Sequence, residues 1–230
     1  MDFATFTQYL IPLAEGSFWT LALFFCSAIL AVILGLAVCL CRMSTITFLR
    51  RGAIVYIEAI RGAPFLLQLF YIYYGLPELG IVLSGFIAGV LGLTINFGAY
   101  LAELFRSGIQ SIDSGQYEAA RALALGKWQR LKRIILPQAL RTIFPALGNY
   151  TLVLIKETSL VAVISVYELM RAGEMLAGAT FQPLLIYTMV GIIYFLMCSV
   201  LSYGFRRSEH LLNVPGYWNG SSSNNDISRT

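Results

Sequence analysis

Residues 18–40 form an uninterrupted apolar stretch, FWTLALFFCSAILAVILGLAVCL, which decides the fold class of this chain. The stretch contains no charged side chain. A helix of about 20 apolar residues crosses the hydrocarbon core of a bilayer, so the stretch predicts a membrane-spanning helix. No Lys or Arg precedes it, whereas a secretory signal peptide begins with basic residues. We therefore expect this first span to be retained.

The whole chain shares this apolar character. Of its 230 residues, 58% are hydrophobic and only 12% are charged, about half the charged fraction of a soluble domain. This composition excludes a soluble globular protein. A formal net charge of +4 is too small to indicate nucleic acid binding. The four cysteines all lie in apolar runs, where we expect them to act as small apolar side chains rather than as disulfides or metal ligands.

Four further apolar runs are long enough to span a bilayer. With the first run, they lie at residues 18–40, 52–74, 81–104, 143–166 and 184–203. The second and fourth runs are less clear by hydropathy, because each contains charged or amide side chains. We predict an all-α polytopic membrane protein with five transmembrane helices.

The basic residues predict the orientation of these spans. If the N-terminus is extracytoplasmic and the C-terminus is cytoplasmic, thirteen of the 16 Lys and Arg residues lie on the cytosolic side, where basic loops are enriched. They are Arg42, Arg50, Arg51, Arg106, Arg121, Lys127, Arg130, Lys132, Arg133, Arg141, Arg206, Arg207 and Arg229. The reverse orientation would place all of them outside. Residues 1–16 are then an extracytoplasmic N-terminus, and residues 206–230 are a cytosolic tail whose Asn- and Ser-rich end we expect to be disordered.

The longest cytosolic segment, residues 106–142, has the pattern of a helical hairpin. Asp113 or Ser114 is a suitable N-cap for a first helix that continues to Leu125 and stops at Gly126. A second helix is predicted from Lys127 to Leu136 and ends at Pro137. Apolar residues recur at helical spacing in this second helix, with basic residues between them. We expect the hairpin to lie against the cytosolic face.

This hairpin resembles the EAA loop in the permease subunits of bacterial ATP-binding cassette (ABC) importers. That motif reads Glu-Ala-Ala, three residues, Gly, nine residues, Ile, one residue, Leu-Pro, and it is matched by Glu118-Ala119-Ala120, Ile134 and Leu136-Pro137. One position departs, because the motif glycine falls on Ala124 and the nearest glycine is Gly126. If Gly126 supplies the left-handed turn, the first helix is longer by about half a turn.

Other stretches resemble the polar amino acid branch of the same importers. They are residues 58–64 followed by Gln68, residues 98–106, residues 136–141, and residues 156–160. The resemblance covers about residues 15–210 and implies the type I ABC importer permease fold, with a five-span domain at residues 17–205. It also implies the bacterial inner membrane and transport of a polar amino acid or a derivative such as an opine.

The resemblance further implies that this chain binds no cofactor. ATP and Mg²⁺ would sit on a separate ABC ATPase, present in two copies, and the chain has no G-x-x-x-x-G-K-[ST] phosphate-binding loop of its own. The other implied partners are a second, identical or similar permease subunit, an extracytoplasmic solute-binding protein and the lipid bilayer. The ATPase-coupling residues carried over from the motif are Glu118, Ala119, Ala120, Arg121, Ala124, Gly126, Arg130, Arg133, Ile134, Leu136 and Pro137, with the two alanines allowing close approach.

Polar side chains within the spans are candidates for the translocation path. They are Glu58, Arg61, Gln68, Asn96, Tyr100, Lys156 and Glu157. Burying a charge in a membrane is costly, so Lys156 and Glu157 need either structural pairing or a water-filled cavity that binds an amino acid. Glu58 and Arg61 have the spacing of a helical ion pair near the cytosolic end of the second span, and Pro64 is expected to bend that span or mark its start.

Two other function classes agree with part of the sequence. A gradient-driven secondary transporter or channel would also explain charges within the spans, but it needs no cytosolic hairpin. A membrane enzyme is disfavoured, since the sequence shows no metal-ligand cluster and its single histidine, His210, lies in the tail.

Small residues at 85, 88, 89 and 92 predict close helix packing, either within one subunit or between two.

Overall fold

The computed structural model describes the backbone of residues 3–212 and the side chains of residues 7–209. This part of the chain is helical and contains no strand, which confirms the all-α prediction. We number the helices α1 (Phe3–Arg42), α2 (Thr47–Gly62), α3 (Phe65–Glu78), α4 (Gly85–Gln110), α5 (Ser114–Ala122), α6 (Lys127–Ile164), α7 (Leu169–Thr180) and α8 (Pro183–Leu212). His210 and the predicted disordered end of the tail lie outside the residues whose side chains are described.

Four of these helices are long and apolar enough to cross a membrane: α1, α4, α6 and α8. The pair α2 and α3 passes the same test as one broken span, bent by 108°. Counted with that pair, the described residues contain the five predicted crossings. The span predicted over residues 52–74 is broken into two helices, because the chain is extended at Ala63 and Pro64 between them.

The break follows from proline chemistry. Pro64 has no backbone N–H, and the residue before a proline is driven out of the helical region. Ala63 is accordingly extended, with φ −112° and ψ 143°, and Pro64 becomes the N-cap of α3. The expectation that Pro64 bends the span or marks its true start is therefore confirmed.

The centre of the bundle is the parallel pair α1 and α4. At one end of the pair, Trp19 of α1 meets Phe86 at the start of α4, and at the second end Arg42, the last residue of α1, meets Glu103 in the last third of α4. Because α5 follows α4, we call that second end the hairpin end and the other the opposite end. The close packing needs small residues: a Cβ on Gly35 would lie 2.8 Å from the Leu101 Cβ.

The small residues of α4 pack within the chain. A Cβ on Gly89 would lie 2.5 Å from a methyl group of Val161, which follows α6's α-helical part. Of the two alternatives for this stripe, the structure therefore shows packing inside one subunit. A second apolar cluster joins α1, α7 and α8 through the fully buried Leu13, Leu169 and Ile186.

Helix α6 corrects two sequence predictions. The helix predicted to end at Pro137 instead continues past it, and the fourth span, predicted as residues 143–166, is part of one longer helix, Lys127–Ile164, whose first turns belong to the hairpin. A π-helical turn, Leu131–Ile135, comes directly before an α-helical part, Leu136–Glu157. In that turn the Leu136 N–H donates to the Leu131 carbonyl, so the wider turn accommodates Pro137 without ending the helix. A 3₁₀ helix, Thr158–Ile164, completes α6.

Candidate functional site

The hairpin turn is built on Ala124. Helix α5 begins at the predicted N-cap, where the Asp113 carboxylate accepts a hydrogen bond from Gly115 N–H at 2.7 Å. It ends in a Schellman motif, in which Leu125 N–H donates to the Ala120 carbonyl and Ala124 N–H donates to the Arg121 carbonyl. Ala124 has φ +53° and so takes the left-handed position itself.

Of the two positions for this turn, the structure therefore shows residue 124, and Gly126 does not lengthen the first helix. Gly126 has φ −62° and is the N-cap of α6, where its N–H donates to the Gln129 side chain at 3.3 Å. The turn thus lies where the motif places its glycine, although the residue there is alanine.

The hairpin presents a mixed charged and apolar surface. Glu118, Arg121 and Ala124 are exposed, while Leu123 and Trp128 are 71% and 79% exposed, which is unusual for large apolar side chains. We call this set the hairpin surface: Glu118, Ala119, Arg121, Leu123, Ala124, Gly126, Lys127 and Trp128.

The remaining motif residues are distributed differently from the prediction. Ala120 is fully buried inside the hairpin, so only Ala119 of the two alanines is available for close approach from outside. Along α6, the half-buried residues are Arg130 and Ile134, and the exposed ones are Arg133, Leu136 and Pro137.

The hairpin is fixed to the bundle by side-chain hydrogen bonds. Tyr117 O–H donates to the Ile109 carbonyl at 3.3 Å, and the Gln138 amide donates to the Gln116 side chain at 3.2 Å. Helix α5 is thereby tied to the end of α4 and to α6.

An ion-pair network also lies at the hairpin end. The Glu103 carboxylate accepts from Arg42 at 3.1 Å and from Arg106 at 2.6 Å, which joins the ends of α1 and α4. These partners are about a quarter exposed or less, so solvent screens the network only partly. It gives the end of the α1–α4 pair a defined geometry next to the hairpin.

Gln68 closes the break between α2 and α3. Its buried side-chain amide donates to the carbonyls of Ile60 and Ala63, at 2.7 and 2.9 Å, and thus satisfies the open end of α2. Its oxygen accepts from the Asn96 amide of α4 at 3.1 Å. Two predicted polar residues, Gln68 and Asn96, are therefore brought together at the break.

A cavity of about 350 Å³ opens beside this break. Its lining residues are Ala63, Pro64, Phe65, Asn96, Phe97, Tyr100, Tyr150, Val153 and Glu157. The cavity combines aromatic rings with one amide and one carboxylate, which is typical of a small-molecule site. We call it the break cavity.

Arg61 lies at the edge of the break cavity rather than in an ion pair with Glu58. Its guanidinium carbon stands 5.3 Å from the centroid of the Tyr100 ring, a cation–π contact, and both Glu58 and Arg61 are exposed. Among the residues described, no salt bridge joins these two side chains. The predicted ion pair is therefore wrong.

Lys156 and Glu157 face different surroundings. Glu157 lines the break cavity, whereas Lys156 lines a separate cavity with Tyr187, Tyr194 and other residues of α7 and α8. The two residues end the α-helical part of α6, rather than lying in the middle of a span, and the helix tightens to 3₁₀ directly after them. Adjacent positions on a helix point in different directions, which explains the separation.

One buried carboxylate was missed by the sequence analysis. Glu168 is fully buried, and its carboxylate accepts hydrogen bonds from the N–H groups of Met170 and Arg171 and from the hydroxyls of Thr20 and Tyr194. It caps α7 and ties that helix to α1 and α8. Burial raises the pKa of this carboxyl, and the four donors oppose the shift. The sequence signal for this role is the position of Glu168 directly before an apolar helical stretch, where N-cap residues lie.

Comparisons with known proteins agree with this architecture. The family model "Binding-protein-dependent transport system inner membrane component" matches residues 27–210. A probable amino-acid ABC transporter permease of Bacillus subtilis, YckA, is 40% identical over 81% of this chain and 82% of its own length. The nopaline transport system permease NocQ of Agrobacterium fabrum is 34% identical over 87% of this chain and 91% of its own.

A solved structure matches as well. A chain in the crystal structure of an amino acid ABC transporter with histidines is 38% identical, covers 92% of this chain and 99% of its own, and superposes with a TM-score of 0.86. The chain therefore belongs to the binding-protein-dependent transport system inner membrane component family, the membrane-embedded permeases of ABC transporters.

Proposed function

We propose that this permease moves a polar amino acid, or a derivative such as an opine, across the bacterial inner membrane. The observation that carries the proposal is the continuity of α6, which begins on the hairpin surface at Trp128 and reaches the break cavity at Glu157. At 1.5 Å per residue, this helix spans roughly 40 Å between the two regions. A single packed helix can transmit a displacement from one end to the other.

The hairpin surface is the proposed docking site for a separate ABC ATPase, present in two copies. Its exposed Trp128 and Leu123 would be buried against the ATPase, with Glu118, Arg121 and the nearby Arg133 making polar contacts at the rim. ATP and Mg²⁺ would bind to the ATPase, and this chain would carry no catalytic activity. A gradient-driven transporter is not favoured, because the chain belongs to an ABC permease family.

The break cavity is the proposed substrate site. An amino acid presents an ammonium and a carboxylate, and the cavity region offers the Glu157 carboxylate and, at its edge, the Arg61 guanidinium. Asn96 and Tyr100 would complete the polar contacts, with Gln68 holding Asn96 in place. A broken helix beside such a cavity suits a transport site, because substrate sites of membrane transporters typically form at discontinuous helices.

The remaining assignments complete the proposed assembly. A second permease subunit, identical or similar, would cover the exposed side of the break cavity, and an extracytoplasmic solute-binding protein would deliver the substrate. The basic residues support an extracytoplasmic N-terminus and a cytoplasmic C-terminus. The transmembrane domain would occupy residues 17–205, with the coupling loop at residues 106–142.

Uptake by the complex in lipid vesicles tests this function. We expect Glu118→Lys to abolish ATP-driven amino acid uptake and co-purification of the ATPase, because it reverses a charge on the docking surface, while membrane insertion is unchanged. Glu78→Lys is the matched control, since Glu78 is an exposed acid at the far end of α3. Normal uptake by Glu118→Lys, or wild-type uptake driven by an ion gradient without ATP, would refute the proposal.

A further inference from the structure

A second cavity lies at the opposite end of the bundle, away from the hairpin. It measures about 380 Å³ and is bounded by α1, α3, the start of α4 and the segment that follows α6. Its side chains include Glu15, Trp19, Tyr73, Phe86, Ser165 and Tyr167. No residue is shared between this cavity and the break cavity. We call it the aromatic cavity.

The aromatic rings of this cavity are arranged as a partial cage. Trp19 and Phe86 meet edge to face, with ring centroids 5.7 Å apart, and Tyr73 and Tyr167 supply two further rings. An aromatic ring carries partial negative charge on its faces, so several rings around one space attract a cation. Such a cage favours cations over neutral or anionic groups of the same size.

Among the residues whose side chains the structure describes, Glu15 is the only charged one that lines the aromatic cavity. It is exposed, and among the described residues it takes part in no salt bridge. Burial and the nearby negative charge of Glu15 raise the pKa of the Tyr167 phenol, so the carboxylate lies close enough to act on that ring. In the described part of the chain, no basic side chain forms a salt bridge that would neutralise this negative charge.

We propose that the aromatic cavity binds a guanidinium or ammonium group on the extracytoplasmic side of the permease. That this cavity faces the extracytoplasmic side rests on the proposed function. That it prefers a cation rests on the four rings and the carboxylate. The group has two possible sources with the same chemistry. It belongs either to a free cationic amino acid that enters the permease, or to a Lys or Arg side chain of the docked solute-binding protein.

Ligand binding to the purified full-length chain in lipid nanodiscs tests the chemistry. The probe is ethylguanidinium, which lacks the α-amino and carboxylate groups that the break cavity is proposed to recognise; ethylurea is its uncharged counterpart. Trp19 fluorescence reports binding once Trp128 and Trp218 are replaced by Phe. We expect saturable quenching by ethylguanidinium, weakened roughly three- to fivefold by Glu15→Gln because the carboxylate is exposed. Glu78→Gln, an exposed acid outside the cavity, is the control and leaves binding unchanged.

Two results would overturn the proposal: quenching by ethylurea as strong as by ethylguanidinium, or binding to Glu15→Gln equal to wild type. Vesicle uptake then distinguishes the sources. If the group belongs to a free amino acid, Glu15→Gln raises the arginine concentration for half-maximal uptake and leaves glutamine uptake unchanged. If it belongs to the binding protein, the variant slows both alike and weakens stimulation of the ATPase by that protein. Wild-type uptake that does not depend on ATP would contradict the proposed transport function but not the cation site, since binding in nanodiscs is measured without transport.

Discussion

Ala124 shows how one residue sets the length of the first hairpin helix. The sequence offers two places for the left-handed turn, and a glycine-based expectation favours Gly126. The hydrogen bond from Leu125 N–H to the Ala120 carbonyl places the turn at Ala124 instead, at φ +53°. An L-amino acid pays about 1–2 kcal/mol for this conformation, so the position carries local strain that sequence periodicity does not reveal.

We therefore expect Ala124→Gly to stabilise the hairpin by roughly 0.5–1 kcal/mol, because glycine adopts positive φ without the Cβ clash. The greater entropy of a glycine in the unfolded chain offsets part of this gain. Hydrogen–deuterium exchange of the amides in residues 114–125 should slow. The control is Ala122→Gly, which makes the same replacement at the last residue of α5, where glycine destabilises by at most about 1 kcal/mol. Faster exchange in both variants would contradict the left-handed assignment.

Among the helices, the broken pair α2–α3 is the one whose geometry depends most on a single side chain. Gln68 satisfies two carbonyls at the end of α2 and bonds to Asn96, all from a buried position. We expect Gln68→Ala to destabilise the chain by about 1–3 kcal/mol, since it removes the donor to the carbonyls of the half-buried Ile60 and Ala63 and the acceptor of the buried Asn96 amide. Thermal unfolding of the purified protein measures this. Leu67→Ala, at a neighbouring position that is 45% exposed, should change stability far less; equal losses in the two variants would contradict the capping role.

The helices of the bundle show how much of the fold could be predicted from the sequence. Helices α1, α4 and α8 are long apolar runs, and their existence follows from hydropathy. In α6, the sequence ends a helix at Pro137 because proline cannot donate a hydrogen bond, yet the π-turn before it removes the need for that donor. The break between α2 and α3 follows from Pro64 and could be predicted, whereas its angle of 108° and the contact of Gln68 with Asn96 of α4 depend on packing that the sequence pattern does not contain.

At the scale of the whole molecule, the predicted site residues separate into two regions joined by α6. The motif residues gather on the hairpin, as their spacing alone indicates. Asn96, Tyr100 and Glu157 meet in the break cavity only because α4 and α6 pack together there, so no spacing within the sequence predicts their contact. Glu168 was missed for the same reason, since two of the three helices that it joins, α1 and α8, are distant from it in sequence.

This arrangement predicts that docking and substrate binding fail independently. Trp128→Ser removes a ring that is 79% exposed, so we expect loss of ATPase co-purification with unchanged thermal stability and unchanged amino acid binding. Glu157→Gln removes the carboxylate of the break cavity, so we expect amino acid binding to weaken about tenfold or more while the ATPase still co-purifies. Pull-down of the ATPase and equilibrium binding of labelled amino acid, measured on the same preparations, check both. Loss of amino acid binding in Trp128→Ser, or loss of ATPase co-purification in Glu157→Gln, would mean that the hairpin and the cavity are not separate sites.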